Sequence, residues 1–255
     1  MTLLEVKNVA AGFNQRSVVH DASFRVANGS FTALVGVNGA GKSTLLRAIA
    51  GITPVLSGHV HLDGHDIHRM PSKKRAQALS FIGQDEVPLG DLTVHEMVAM
   101  GRMPHLKSWQ IGGRKEQTII ESCLDMVDMV GLAERRCEQL SGGQRRLALI
   151  ARGLAQQAPM MILDEPTNHL DVHHQHHLLQ LLKNSGLTIL ATIHDLDLAV
   201  AYCDQVVVLH EGGILVAGTP VEVLNSQTLR QVFDVSAFVF DFETTEHPHL
   251  VVDSL

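Results

Sequence analysis

Aromatic side chains are scarce: one Trp, one Tyr and eight Phe make up 4% of 255 residues. Stacking platforms for single-stranded nucleic acid are built from such rings, so that class is disfavoured. Charge is sparse too, at 18% against about 25% in ordinary soluble domains. What charge there is leans acidic: 20 − 27 gives −7, with no basic footprint, so no nucleic-acid partner is expected. Cys123, Cys137 and Cys203 are the only cysteines, far apart and odd in number. They point to a reducing cytosolic compartment rather than a disulfide framework or a zinc site. No apolar run approaches the roughly 18 residues of a transmembrane helix. The opening, Met1 to Lys7, has no basic region followed by an apolar stretch, so no secretory signal is expected.

What is present is a rather apolar chain, long enough for one large domain or a domain with a subdomain. Hydrophobic residues reach 45%, and 21 glycines come on top of that. The acidic excess is uneven. After Arg230 there is no Lys or Arg, while Asp234, Asp241, Glu243, Glu246 and Asp253 fall there. The last 25 residues therefore carry −5, and residues 1–230 carry −7 − (−5) = −2.

The pattern predicts strands over Leu3–Ala10, Val19–Val26 and Ser30–Gly36, then a helix from Lys42 to near Gly51. Gly58–Gly64 reads as a strand ending in an Asp63-Gly64 turn. Residues from about Thr93 to Val130 read as helical, broken at Pro104 and at Gly112-Gly113. A helix over Gly143–Gln157 is followed by the apolar strand Met160–Leu163 and a helix over about Val172–Lys183. Leu187–Ile193, Gln205–Leu209 and Leu215–Ala217 read as further strands, and the tail as a hairpin. Apolar strands alternating with helices imply a buried parallel sheet.

Gly36-Val-Asn38-Gly39-Ala40-Gly41-Lys42-Ser43-Thr44 fits G-x-x-x-x-G-K-[ST], with an apolar β-rich run before it and a helical pattern after it. Glycines there let several backbone N–H groups converge on phosphate oxygens. The helix N-terminus adds its own free amides and positive dipole end. Lys42 offers a point charge for β- and γ-phosphates, and the Ser43 hydroxyl a ligand for Mg²⁺. Met160–Leu163 carries Asp164 to a strand's C-terminal end, where it can hold the Mg²⁺ shell. Glu165, one residue on, points differently and is placed to polarise an attacking water. The chemistry is nucleoside triphosphate hydrolysis.

Leu140-Ser141-Gly142-Gly143-Gln144 resembles the signature of ATP-binding cassette (ABC) proteins, and the family's other markers stand around it in order. Gln84 looks like the Q-loop glutamine, Asn168-His-Leu-Asp171 the D-loop, His194 the switch histidine. Phe13 sits where the family usually has a tyrosine stacked on adenine. The resemblance covers roughly residues 1–230. It implies an α/β P-loop NTPase fold: a RecA-like core, an antiparallel β subdomain, a helical subdomain near 88–157 within a domain of 1–235, and a C-terminal β-hairpin tail over 236–255. It implies ATP and Mg²⁺: phosphates on the Gly36–Thr44 loop, the ion and the attacking water arranged by Ser43, Gln84 and Asp164, and a catalytic set of Glu165 as base, His194 at the γ-phosphate and Gln84. It also implies a homodimer, in which Ser141, Gly142, Gly143 and Gln144 of one copy face the phosphate loop of the other and Asp171 lies at the seam. Ser141 and the glycines precede a helix, and so form a second anion-receptive N-terminus. Two departures stand out. After the signature the family often shows Arg-Gln-Arg, where this chain has Arg145-Arg146-Leu147. Gly153 also interrupts a helix where alanine is common.

The stretch Gly101-Arg102-Met103-Pro104-His105 resembles the Gly-Arg-x-Pro-His of siderophore, haem and vitamin B12 uptake ATPases. That branch implies docking on a polytopic permease, here near residues 84–110, with a cargo-binding protein acting indirectly. The ATPase would then lie at the cytoplasmic face of the membrane. A soluble cassette serving cofactor assembly or nucleic acid is the alternative, and the weak basic charge argues against it. Sixteen histidines are many. His173 and His177 share a helix face at metal-ligand spacing. With no cysteine beside them, they read first as a solvated helix past the D-loop. Lys73-Lys74-Arg75 likewise reads as a solvated helix face.

Overall fold

The computed structural model describes residues 2–14, 16–84, 91–106, 113–240 and 248–253. Trp109, Gly112, Asp241, Glu243 and Glu246 lie outside the described residues, as do residues 85–90 and 107–110 of the expected docking segment. The chain divides into two compact units, residues 1–69 with 182–255, and residues 70–181.

The first unit opens on two long antiparallel strands, β1 (Thr2–Phe13) and β2 (Arg16–Ala27), followed by β3 (Phe31–Val35) and helix α1 (Lys42–Ile49). β4 (Ser57–Leu62) and β5 (His65–Asp66) complete an antiparallel sheet of order β2-β1-β4-β5. The turn between them places Asp63 and Gly64 at φ 48 and 75, the doubly left-handed pair that a tight hairpin needs.

The second unit holds α2 (Ser72–Ala78), β6 (Leu79–Ile82), α3 (Val94–Ala99), α4 (Arg114–Met126), α5 (Gly142–Ala155) and β7 (Met160–Leu163). It ends inside α6 (Val172–Asn184). β6 and β7 pair in parallel, Leu79 opposite Met160 and Ile82 opposite Leu163. The stretch predicted as helix from Thr93 resolves into α3, a 3₁₀ turn over Met100–His105, and α4. Pro104 sits in that 3₁₀ turn, and its carbonyl accepts from Gln77 Nε2 at 2.8 Å. Lys73, on the exposed face of α2, donates to the Leu106 carbonyl.

The first unit resumes with β8 (Thr188–Thr192), α7 (Leu196–Tyr202), β9 (Gln205–His210) and β10 (Gly213–Gly218). Two short helices follow, α8 (Pro220–Val223) and α9 (Ser226–Phe233). The tail hairpin is β11 (Ser236–Phe240) and β12 (His249–Asp253), paired Ser236 to Asp253. β3 lies between β8 and β9, parallel to both, and all five of its residues are buried. β7 and β8 are likewise buried throughout. Such strands are covered on both faces, which is why they read as unbroken apolar runs rather than alternations. The three cysteines are buried thiols, and burial pushes Cys123 up to about 11.

Gly153 has a packing reason. α5 lies so close on β6 that a Cβ at 153 would meet Ile82 Cδ1 at 2.7 Å and Ser80 Oγ at 3.2 Å. Alanine would gain about 1 kcal/mol of helix propensity, but overpacking costs about 1–3 kcal/mol. Gly153→Ala is therefore expected to lower the urea midpoint, and Ile82→Val in the same chain, which removes Cδ1, to restore it. A midpoint that rises in the single variant contradicts this packing account.

Candidate functional site

The phosphate loop is fixed by the strand that feeds it. Gly36 follows β3 at φ 154, and a Cβ there would lie 2.2 Å from the Leu209 carbonyl oxygen of β9. Gly41, the residue before α1, sits at φ 103. L side chains rarely adopt either conformation, so the loop's path belongs to glycine. Asn38 and Gly39 are exposed, Ala40 is buried, and Ser43 and Thr44 are half-buried. Lys42 is buried and its Nζ donates to the carbonyls of Gly36 at 2.7 Å and Val37 at 3.1 Å. The ammonium thus closes the loop on itself. The first turn of α1 has no acid, which leaves its amide end positive.

β8 brings His194 to the same edge. Leu34 pairs with Thr192, and the Ile193 amide donates to the Leu34 carbonyl, so Gly36 and His194 stand at neighbouring strand ends. Phe13 lies at the far end of β1 with 54% of its surface exposed, an open ring face for stacking.

In the second unit, the parallel register of β6 and β7 carries Gln84 and Asp164–Glu165 off the same end of two adjacent strands. The Asp164 amide donates to the Ile82 carbonyl at 2.9 Å, and Asp164 has no exposed surface. Glu165 is half-buried at φ 53, a left-handed conformation that costs a non-glycine residue about 1–3 kcal/mol. Asn168 Nδ2 donates to its Oε2 and fixes the carboxylate.

Ser141 caps α5 reciprocally. Its hydroxyl accepts from the Gln144 amide at 3.2 Å, while Gln144 Oε1 accepts from the Ser141 amide at 3.1 Å. A cleft of about 470 Å³ opens there, lined by Ser141, Gly142, Gly143, Gln144, Leu170 and Asp171 among others. The signature turn and the D-loop therefore meet. Asp171 is exposed and accepts at Oδ1 from the His174 amide at 2.9 Å. That amide and the His174 ring hold its carboxyl below the usual carboxylate range.

Two arginines carry more of this unit than their sequence context shows. Arg146 is buried on α5 and donates to three carbonyls: Gly83 at 2.7 Å, Pro166 at 3.4 Å, and Asp164. Its guanidinium therefore ties the signature helix to the residue before Gln84 and to both residues around Glu165's neighbourhood. Leu147, standing where the family has a basic residue, is buried and lines the cleft. Arg102 is buried, pairs with Glu116, and donates to the Ala155 carbonyl at 2.6 Å. His105 Nε2 donates to the Gln156 carbonyl at 2.8 Å. The Gly101–His105 stretch thus caps the C-terminal end of α5, where carbonyls lack intrahelical partners. Neither role has a local sequence signal, because the acceptors are backbone carbonyls many residues away.

The ABC transporter family pattern matches residues 19–168. The chain is 38% identical over 253 residues to the iron(3+)-hydroxamate import ATP-binding protein FhuC of Bacillus subtilis, covering 97% of this chain and 94% of that one. It is 34% identical over 252 residues to the ferric enterobactin transport ATP-binding protein FepC of Escherichia coli, covering 97% and 93%. Its fold is similar to a dimeric post-hydrolysis state of an ATP-binding cassette bound to ADP and Pi. The TM-score is 0.75 at 25% identity, over 86% of this chain and 99% of that one.

Arg146→Met leaves those carbonyls without their donor, at about 1–3 kcal/mol for each buried group left unsatisfied. A clear fall in urea midpoint is expected. Arg146→Lys, a point charge without the planar fork, should recover only part of it. A wild-type midpoint in the Met variant would show that the clamp contributes nothing.

Proposed function

The chain belongs to the ABC transporter family, and on that premise we propose that it is the ATPase subunit of a membrane importer for a ferric siderophore. It is an ABC-type ATPase and binds ATP. The observation that carries hydrolysis is the glycine-shaped loop closed by buried Lys42. The importer assignment is supported by the near full-length likeness to FhuC and FepC, whose names state iron(3+)-hydroxamate and ferric enterobactin transport. Haem and cobalamin are the other cargoes of the branch that the sequence resembles.

In this reading Phe13 stacks on adenine, and the loop amides, Lys42, Ser43 and Thr44 hold the phosphates. Ser43, Gln84 and Asp164 offer a hydroxyl, an amide and a carboxylate, an all-oxygen donor set that suits a hard divalent cation. Mg²⁺ held there would neutralise charge on the β- and γ-phosphate oxygens. Glu165, fixed by Asn168, takes the proton of the attacking water. His194 contacts the γ-phosphate. A second copy presents its Ser141–Gln144 turn across the nucleotide, with Asp171 at the seam. Closure on ATP and opening after hydrolysis are the power stroke.

No described helix is long and apolar enough to cross a membrane. Importer subunits of this family work with separate permeases and so are peripheral to the membrane. For this chain we place the permease contact near residues 84–110, at the cytoplasmic face, with a cargo-binding protein acting through the permease. Met100 and Met103 support that placement, being 37% and 62% exposed on the 3₁₀ turn whose inner side caps α5.

Glu165→Gln is expected to keep ATP affinity, to lose about 10²-fold or more in turnover, and to accumulate as an ATP-bound dimer on size exclusion. Near wild-type turnover would displace Glu165 as the base. Lys42→Ala is expected to weaken nucleotide binding itself, read by titration with a fluorescent ATP analogue. A detergent-extract pull-down that brings down no integral membrane protein would count against the importer.

A further inference from the structure

Five metal-ligating side chains form one row that runs from Asp171, just before α6, along that helix to Asp128 in the turn after α4. His174 Nδ1 lies 2.8 and 2.9 Å from the two Asp171 carboxylate oxygens. The His173 and His174 rings meet edge to face at 5.5 Å. The His173 and His177 rings, one turn apart, lie parallel within 4° at 6.5 Å between centroids. His177 Nε2 then reaches Asp128 Oδ2 at 3.4 Å. Asp171, His173 and His174 each offer a ligand atom within 4.8 Å of the other two.

We propose that Asp171, His173 and His174 form a binding site for a borderline divalent transition metal such as Zn²⁺ or Ni²⁺. Spacing supports this first. The ligand atoms of Asp171, His173 and His174 already lie within 4.8 Å of one another, and these exposed side chains need only settle at the roughly 3.3 Å that donors about 2.0–2.1 Å from a tetrahedral metal keep. Ligation at His174 Nδ1 moves the neutral ring's proton to Nε2 and needs no net proton loss. His173 and His177 supply the i, i+4 imidazole pair that a helix presents on one face.

Donor chemistry selects the metal class. Imidazole nitrogens with a single carboxylate suit Zn²⁺, Ni²⁺ or Cu²⁺ rather than Mg²⁺ or Ca²⁺, which take oxygen. The amide end of α6 opposes a cation, and the carboxylates of Asp171 and Asp128 at the two ends of the row offset it. The row is solvent-exposed, so a metal can enter from solvent. Asp171 and His174 also line the 470 Å³ cleft beside the signature turn, so a bound cation would stand at the mouth of that cleft.

Asp171 is also the residue placed at the dimer seam above, so the test reads metal binding alone, in the nucleotide-free chain, and its outcome does not depend on ATP turnover or import. The probe is Zn²⁺, titrated calorimetrically into the chelator-stripped, untagged full chain without nucleotide. One Zn²⁺ per chain is expected. His173→Gln with His174→Gln should weaken binding by about tenfold or more, whereas His59→Gln with His65→Gln, on β4 and β5, should leave it unchanged. In the wild type, Zn²⁺ should also protect His173 and His174 from diethylpyrocarbonate, mapped by mass spectrometry, a readout that needs no variant. Zn²⁺ binding unaltered in the His173/His174 variant, no binding by the wild type, or no protection at these rings overturns the site.

Discussion

Three backbone carbonyls, those of Gly83, Asp164 and Pro166, converge on the buried guanidinium of Arg146. A buried carbonyl without a donor is costly, and none of these three lies within a regular helix. One residue on the signature helix satisfies all of them. The path of the chain before Gln84 and around Glu165 is therefore set from α5 as well as from β6 and β7. An isolated buried charge would be expensive, but a planar fork of five donors set among carbonyls is well matched. The left-handed backbone at Glu165 persists beside it because its surroundings over-determine it: Asn168 on the carboxylate and Arg146 on the carbonyls to either side.

The same helix explains two features that looked like departures. Gly153 is required because β6 presses Ile82 against α5. Leu147, where a basic residue is usual, is apolar because its side chain is buried beside the cleft while Arg146 one position earlier reaches the carbonyls. What the sequence pattern shows as small irregularities are consequences of how closely α5 packs.

The elements most legible in the sequence were those with strong local punctuation. Met160–Leu163 is both the predicted and the observed strand, because four apolar residues end abruptly at Asp164. The Asp63-Gly64 turn and the start of α1 at Lys42 carry their conformations in their residue types. Of α2 only the Lys73-Lys74-Arg75 face was legible, because Ser72–Ala78 has no apolar stripe to fix its bounds, and β6 was not read because Leu79–Ile82 includes Ser80 and ends in no acidic stop like Asp164. α7, α8 and α9 were missed for a similar reason: at four to eight residues they give too few turns for a period to show. The motif residues themselves were readable from spacing. The supports that hold them, Arg146, Arg102 and His105, were not, since each acts on a backbone carbonyl whose partner no pattern announces.

α5 carries side-chain ties at both ends: the Ser141–Gln144 box at the start, and Arg102 and His105 on the final carbonyls. Helices ordinarily fray from their termini, so a small load is absorbed where it is applied. Here neither terminus is loose: unwinding the last turn would break the buried, charge-assisted bond from Arg102 to the Ala155 carbonyl, and unwinding the first would break the capping box. The easier response is for the fourteen residues to tilt or shift as a rigid body. A displacement of the 3₁₀ turn at Met100–His105 would then reappear some 20 Å away, at about 1.5 Å of rise per residue, as a displacement of the signature turn.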